Sequence, residues 1–398
     1  GLKTDYNANK YLMGTPAIGN LDDDDDLEVV IGGYSSNNQI FAINPDGSNV
    51  DGFPLALGEK TKAGVALADF NGNGSDDIVF GTDDDNIYLI YDDGSIAPGF
   101  PYTVGDKIQA APSIVDIDGE KVIFSGCNDD NLYAINSDGS LRFIVSTGDQ
   151  VQTSPSFLEE DGEISIFFGS NDDKIYAVDS EGSSLPGWPI EVNGTIGGSV
   201  IFSDLDGDGQ AEVLASTDMG EIVAFHLNGD AYPYFPILNE VPFFGSPMIT
   251  DLDDDGDLEI LAGSGSNLVV IDIKESGTSE GYWSEFRGGF ERRGSLDYAG
   301  IPLANIKESV PFEYSLSAIY PNPFNPVTTI KYGLPDYVLV KIAVYDILGR
   351  QVAVLINNYQ SPGFHSVVWE ASSYPSGLYF IRMVSNNITD TRKILLIK

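Results

Sequence analysis

The chain has 398 residues, 42% of them hydrophobic, with 61 acidic and 20 basic side chains and a net charge of −41. That length allows two or three domains with sizeable cores, and a charge so negative argues against nucleic acid and anionic lipid as partners. No run of about 18 apolar residues is present to cross a membrane as a helix, and the single cysteine, Cys127, leaves no intrachain disulfide to form.

The charge is unevenly placed. Residues 1–300 carry 55 acidic and 12 basic side chains, a balance of −43, and residues 301–398 carry 6 and 8, a balance of +2. Two different modules are expected. The 44 glycines and 21 prolines indicate many tight turns, and no long helical periodicity is visible.

In chain order, residues 1–13 are expected to add a strand to the last of a set of repeats. The repeats are marked by Asn20, Asp69, Asp116, Glu159, Asp204 and Asp251, at spacings of 49, 47, 43, 45 and 47 residues. Each marker follows a short strand-like run, such as Thr15-Pro16-Ala17-Ile18. Each precedes a second strand, such as Glu28-Val29-Val30-Ile31-Gly32 or Glu259-Ile260-Leu261-Ala262-Gly263. A turn then leads to a third strand, Ile40-Phe41-Ala42-Ile43 in the first repeat and Ile222-Val223-Ala224-Phe225 in the fifth. The fourth strand carries an aromatic-Pro pair, as in Phe53-Pro54, Phe100-Pro101, Trp188-Pro189 and Phe235-Pro236. Proline cannot donate to a ladder and belongs on an outer edge. The last repeat's fourth strand is expected around Tyr282-Trp283-Ser284-Glu285-Phe286. Four short antiparallel strands in each of six units predict an all-β fold, a six-bladed β-propeller, or a seven-bladed one with a further N-terminal repeat. A β-solenoid is the alternative, but no polar caps are evident at its ends.

The loops that begin at four of the markers carry the chemistry. Asp204-Leu205-Asp206-Gly207-Asp208-Gly209-Gln210-Ala211-Glu212 places acids at positions 1, 3, 5 and 9, and loops 20–28, 69–77 and 251–259 repeat the pattern. Carboxylates this close repel one another unless a hard cation sits among them, and Ca²⁺ takes six to eight oxygens from such flexible loops. An EF-hand needs an acid at position 12; here Ile31, Phe80, Ala215 and Ala262 stand there, inside strand-like runs. A single acidic loop reads equally well as a solvated turn, whereas four copies in register argue for a calcium loop of a β protein. Asp83-Asp84-Asp85 and Asp129-Asp130, at hairpin turns, read as solvated charge.

Loop, strand pattern and spacing together resemble the FG-GAP/VCBS family of calcium-binding propeller repeats, over roughly residues 14–294. The resemblance implies about four Ca²⁺ sites with side-chain ligands at positions 1, 3, 5 and 9. These are Asn20, Asp22, Asp24 and Glu28; Asp69, Asn71, Asn73 and Asp77; Asp204, Asp206, Asp208 and Glu212; and Asp251, Asp253, Asp255 and Glu259. It also implies a backbone carbonyl ligand at position 7, from Asp26, Ser75, Gln210 and Asp257. The sequence departs from the pattern at Asn20 and at Asp25, where Gly is usual, and at Asn71 and Asn73, which lower the charge. The loops at Asp116-Ile117-Asp118-Gly119 and Glu159-Glu160-Asp161-Gly162 are shortened and are expected to bind no metal.

Residues 1–297 are thus one module, 298–313 a linker and 314–398 a second module. After Tyr320-Pro321-Asn322-Pro323-Phe324-Asn325-Pro326, strand-like runs follow at 328–332, 340–345, 351–355, 365–369, 377–382 and 391–397, with a hairpin turn at Asp346-Ile347-Leu348-Gly349-Arg350. Six or seven strands in so short a stretch suggest a small Ig-like sandwich. Its opening motif, Tyr345-Asp346 with Gly349-Arg350, and Ser376-Gly377-Leu378-Tyr379 closely resemble the type A C-terminal sorting domain of the type IX secretion system. That resemblance implies the secretion machinery as a partner and an extracellular or outer-surface location, with a leader expected to have been removed before Gly1. A generic Ig-like adhesion module is the alternative.

His226 and His365 lie far apart and read as partly exposed strand residues, and Cys127 as a small core or turn residue. Arg287, Arg292 and Arg293 form the one basic cluster of an acidic body, suited to ion pairing with carboxylates or, less readily, to an acidic sugar. The reading of the whole is a secreted, calcium-stabilised propeller that binds glycans or surface proteins. A polysaccharide lyase and a self-assembling filament or surface-layer subunit are the alternatives.

Overall fold

The computed structural model describes residues 12–296 and 314–398, apart from 23, 25, 35–38, 161, 254, 336–337, 361–362 and 386–387. The strand expected from the first residues and the linker at 298–313 therefore lie, for the most part, outside the described residues. Two compact units divide at Gly1–Gly300 and Ile301–Lys398.

The first unit is a succession of small antiparallel sheets, each a meander with its strands in chain order. Ala17–Gly19, Glu28–Gly32, Gln39–Ile43 and Leu55–Ala56 form the first sheet; Ala66–Ala68, Asp77–Gly81, Asn86–Ile90 and Tyr102–Thr103 the second. Ser113–Ile117, Glu120–Gly126, Asn131–Asn136 and Leu141–Ser146 form the third, and Ser156–Glu160, Glu163–Ser170, Lys174–Asp179 and Ile190–Glu191 the fourth. Ile201–Ser203, Glu212–Ser216, Glu221–His226 and Ile237–Leu238 form the fifth, and Met248–Thr250, Leu258–Gly263 and Leu268–Ile273 the sixth. The outer strands of sheets one, two, four and five are two residues long, and each directly follows a cis aromatic-Pro peptide. The missing proline N–H explains why pairing begins only after the ring.

From the second sheet to the fifth, second and third strands are apolar on both faces because each of these sheets packs against its neighbours, whereas Leu268 and Val270 in the third strand of the sixth sheet are exposed. Val30, Ile40, Val65 and Phe80 join sheets one and two; Val79, Ile87, Ile114 and Ile123 join two and three. Phe124 meets Phe157 at 5.4 Å between sheets three and four, and Phe167 meets Phe202 at 4.9 Å between four and five. Ile201, Leu214, Ile249 and Ile260 join five and six. Such edge-to-face aromatic pairs add to what area burial alone supplies.

The segment after the sixth sheet corrects an expectation. Residues 282–286 form no fourth strand; they run across the first strands of other sheets. Trp283 O accepts from Phe202 N (2.9 Å), Ser284 O from Ile249 N (2.9 Å), Glu291 O from Ile18 N (2.8 Å), Arg293 O from Leu67 N (2.9 Å) and Gly294 O from Ile114 N (2.7 Å). The segment thus meets sheets five, six, one, two and three in that order. A 3₁₀ turn at Phe286–Gly288 redirects it. Trp283 is fully buried against Phe157, so an outer edge position would have exposed the largest side chain of the segment.

The second unit has two sheets. Ser315–Tyr320, Val327–Leu334 and Gly363–Glu370 form one; Gln351–Gln360, Val338–Tyr345, Gly377–Ser385 and Ile388–Leu396 form the other, in those spatial orders. Ile330, Tyr332 and Trp369 from the first and Val340, Ile342, Ile381 and Leu396 from the second share one apolar cluster. The Asp346 hairpin is closed by bonds from Leu348 N (2.9 Å) and Arg350 N (2.9 Å) to Asp346 Oδ1.

Candidate functional site

Each long loop joins the first and second strands of its sheet, and one contact recurs in all four. The closing acid at position 9 turns one oxygen back to the backbone N–H of position 2: Glu28 to Leu21 N (2.7 Å), Asp77 to Phe70 N (2.8 Å), Glu212 to Leu205 N (2.8 Å) and Glu259 to Leu252 N (2.6 Å). The odd-numbered side chains then cap the N–H two residues ahead. Asp22 accepts from Asp24 N (3.0 Å), Asp24 from Asp26 N (2.7 Å), Asp206 from Asp208 N (3.2 Å), Asp208 from Gln210 N (2.8 Å) and Asp255 from Asp257 N (3.2 Å). Gly207 and Gly209, both with φ positive (75° and 87°), let their N–H groups reach Asp204 at position 1 (2.6 and 3.0 Å). Asx turns of this kind are what Asp and Asn favour locally; chained, they turn successive carboxylates to one side.

Four acidic trios result, drawn from three of the loops. Ligand atoms of Asp22, Asp24 and Glu28, of Asp204, Asp206 and Glu212, of Asp251, Asp253 and Asp255, and of Asp255, Asp257 and Glu259 lie within 4.8 Å of one another in each set. Glu28 is 0% exposed and its Oε1 has no hydrogen-bond partner among the described residues; Asp251 Oδ1 and Asp257 Oδ1 are likewise buried and unpartnered among them. A buried carboxylate oxygen without a partner is costly, and a hard divalent cation bound by oxygens is a chemical fit for it. Asn20, Asp26, Asp208 and Gln210 stand in the same loops but outside these acidic sets.

The second loop solves its charge differently. Asn71 and Asn73 donate amide protons to Asp77 (3.3 Å) and Asp92 (3.0 Å), and Ser75 N caps Asn73 (2.9 Å) while Asp69 takes Gly72 N (2.7 Å) and Gly74 N (2.9 Å). Burial pushes the Asp77 carboxyl up to about 7, and burial likewise raises Glu28. Both lie above the unfolded carboxylate range of about 4. Protonation therefore favours the folded chain when metal is absent, and that contribution is lost as pH rises through about 7 for Asp77. In chelator, the melting temperature of the body should rise between pH 8 and pH 6; in calcium the same acidification should not raise it, since ligation requires the ionised form. A metal-free melting temperature that falls over that interval would contradict the assignment.

At the first of the shortened loops the first and second strands are joined by a two-residue hairpin turn. Asp118 (φ 58°) and Gly119 (φ 85°) make it, closed by Gly119 N on Asp116 Oδ1 (2.7 Å). Asp129 corrects a second expectation: its Oδ2 accepts from Tyr133 Oη and from Gly105 N (3.1 Å), so it fastens one repeat to the preceding loop and is not a solvated charge. Cys127 is buried, its thiol bonded to Asp106 O (3.1 Å) and pushed up to about 12 by burial.

Sequence reasoning missed three partners. His226 Nδ1 lies 3.1 Å from Glu212 Oε1, the closing acid of the fifth loop. Asp76 binds Arg293 and also accepts from Asn20 N (2.9 Å), tying the second loop to the first. Its one signal was an acid at position 8, where the other loops carry Leu27, Ala211 and Leu258. Arg287 pairs with no carboxylate among the described residues. It is 1% exposed and donates to the carbonyls of Pro112 (3.0 Å), Val65, Arg292 (3.0 Å) and Arg293 (3.3 Å).

A cavity of about 480 Å³ is lined from all six sheets of the first unit. The residues just ahead of each first strand reach it at equivalent places: Met13, Lys62, Gln109, Gln152, Gly197 and Phe244. Glu285, Phe286 and Arg292 of the crossing segment also line it. Lys62 Nζ donates to Gln109 Oε1 (3.1 Å), and the Arg292 guanidinium sits 5.9 Å from the centre of the Phe286 ring.

No curated protein matches the chain in sequence. Among solved structures, the V. cholerae biofilm matrix protein Bap1 is similar at a TM-score of 0.50 and 13% identity, over 96% of this chain and 67% of that one. Two crystals of BBS1N in complex with ARL6DN, soaked with mercury and with lead, are similar at 0.45 and 0.47 with 14% identity, each over 65% of this chain and 78% of that one. No helix among the described residues is long and apolar enough to cross a membrane. Residues 318–398 match the family of the secretion system C-terminal sorting domain, so this all-β chain carries a type IX sorting tail, the mark of a secreted or cell-surface protein.

Proposed function

We propose that residues 1–297 form a six-bladed β-propeller, stabilised by calcium in up to four loops, and that it serves outside the cell as a binding module for glycans or proteins. The observation that carries the metal reading is the repeated closing acid, one oxygen spent on the loop and, at Glu28, the other buried and without a partner among the described residues. Support for a closed ring comes from the crossing segment, which meets sheets five, six, one, two and three in turn, and from the cavity that all six sheets line. The ligands are the position 1, 3, 5 and 9 side chains named above, with the position 7 carbonyls of Asp26, Ser75, Gln210 and Asp257 completing each shell. A fold neighbour that is a biofilm matrix protein agrees with an extracellular role. Self-assembly into a matrix remains a companion reading on that same likeness.

Calorimetric titration of the metal-free chain tests the proposal. Calcium binding to several sites is expected, with one site weakened or lost in Asp206→Ala and the stoichiometry unchanged in Asp118→Ala. A chain that binds no calcium, or an Asp206→Ala variant with unaltered stoichiometry and affinity, overturns it. For export, deletion of residues 318–398 should retain the protein inside the cell, and continued surface display would refute the role of the tail.

A further inference from the structure

The cavity lined by six sheets differs from the rest of this surface in charge. Residues 1–300 hold 55 acidic and 12 basic side chains, yet two of those cations, Lys62 and Arg292, line this one cavity against a single carboxylate, Glu285. Neither forms a salt bridge among the described residues; Lys62 donates to the Gln109 amide and Arg292 lies over Phe286. The lining is also divided. Lys62, Gln109 and Gln152 come from successive repeats and form a hydrogen-bonded series, the Gln152 amide reaching Gln109 at 3.5 Å. Met13 and Phe244, 56% and 64% exposed, stand at the equivalent positions of other repeats. Ser199 also lines the cavity; it is 1% exposed and its hydroxyl has no partner among the described residues.

An exposed aromatic face, planar amides and an unspent hydroxyl suit the apolar and hydroxylated faces of a pyranose ring. Two cations outside any salt bridge among the described residues, set against the single Glu285 carboxylate that Arg292 also feels, add a preference for a carboxylate, which guanidinium and ammonium groups bind through charge-assisted bonds. The volume falls in the range of small-ligand sites. We propose that this cavity binds a hexuronate residue of an acidic glycan, with Lys62 and Arg292 on the carboxylate and Phe244 against the ring. The inference rests on reading the body as a binding module.

The test uses the full chain in saturating calcium, with trigalacturonate as probe and galactotriose as its neutral counterpart, in calorimetric titrations. Trigalacturonate should bind and galactotriose should bind at least about tenfold more weakly, because the charge-assisted bonds are lost. Lys62→Gln and Arg292→Gln should each weaken trigalacturonate by about tenfold or more, and Phe244→Ala should weaken both sugars. Lys107→Gln, an exposed lysine away from the cavity lining, should change nothing, and every variant should keep the parent melting temperature. Absence of trigalacturonate binding, equal binding of the neutral sugar, or full affinity in the Lys62→Gln, Arg292→Gln double variant overturns the assignment. If calcium still stabilises the body in that event, the ligand assignment alone has failed.

Discussion

Chelation of divalent cations is expected to lower the melting temperature of the body by roughly 20 °C and to leave the isolated tail unmoved. The size follows from linkage. A site held at 100 times its dissociation constant stabilises the folded state by about 2.7 kcal/mol, so four sites contribute about 11 kcal/mol. For a domain of this size each kcal/mol moves the midpoint by about 2 °C. The direction follows from the loops themselves. Asp204, Asp206 and Glu212 lie within hydrogen-bonding range of one point, and without a cation their repulsion and the burial of Glu212 both oppose folding. The tail has its own apolar cluster and, among the described residues, none of the acidic sets. Differential scanning calorimetry in calcium and in chelator gives the answer; a body whose transition does not move lacks metal in these loops.

Substitution of Arg287 by leucine should be the most damaging single change in the body. Burial holds its pKa down, at about 9, which still leaves it charged at neutral pH. Replacing a buried ion pair by apolar groups can be neutral when both partners change. Here the partners are backbone carbonyls of Val65, Pro112, Arg292 and Arg293, which no side-chain substitution removes. Arg293 O keeps its bond from Leu67 N, and each of the other three buried acceptors left unpaired costs about 1–3 kcal/mol, so about 3–9 kcal/mol is at stake, comparable with the whole stability of a typical domain. Arg287→Lys should rescue little, since one ammonium group cannot span acceptors on three segments. Gly294 is bound to the same arrangement: a Cβ there would meet Arg287 Nη2 at 2.1 Å, at φ 66°. Urea titration in saturating calcium measures the effect, and an Arg287→Leu midpoint equal to the parent's would dismiss the hub.

Much of the architecture could be read from the letters because it is local and repeated. The period of forty-odd residues, the apolar second and third strands and the aromatic-Pro pairs each depend on near neighbours in sequence. So does the acidic loop, whose Asx turns link residues two apart. The tail was legible for the same reason, through its turn at Asp346–Arg350 and its alternating strands.

The segment from Trp283 to Ser295 was not. It follows the last repeat, so no period constrains it, and its run of Trp, Phe and Arg fits an edge strand as well as a buried crossing. Its partners lie far away in the chain, Arg287 reaching back 175 residues to Pro112 and 222 to Val65. The same holds for Asp129 on Gly105 N and for Asp76 between two loops. Sequence alone determined the strands, the turns, the acidic loops and the sorting tail, because backbone propensity and short-range hydrogen bonds set them. Only the tertiary structure decided which charges are buried and which stay free at the cavity, because desolvation depends on what other parts of the chain bring into contact.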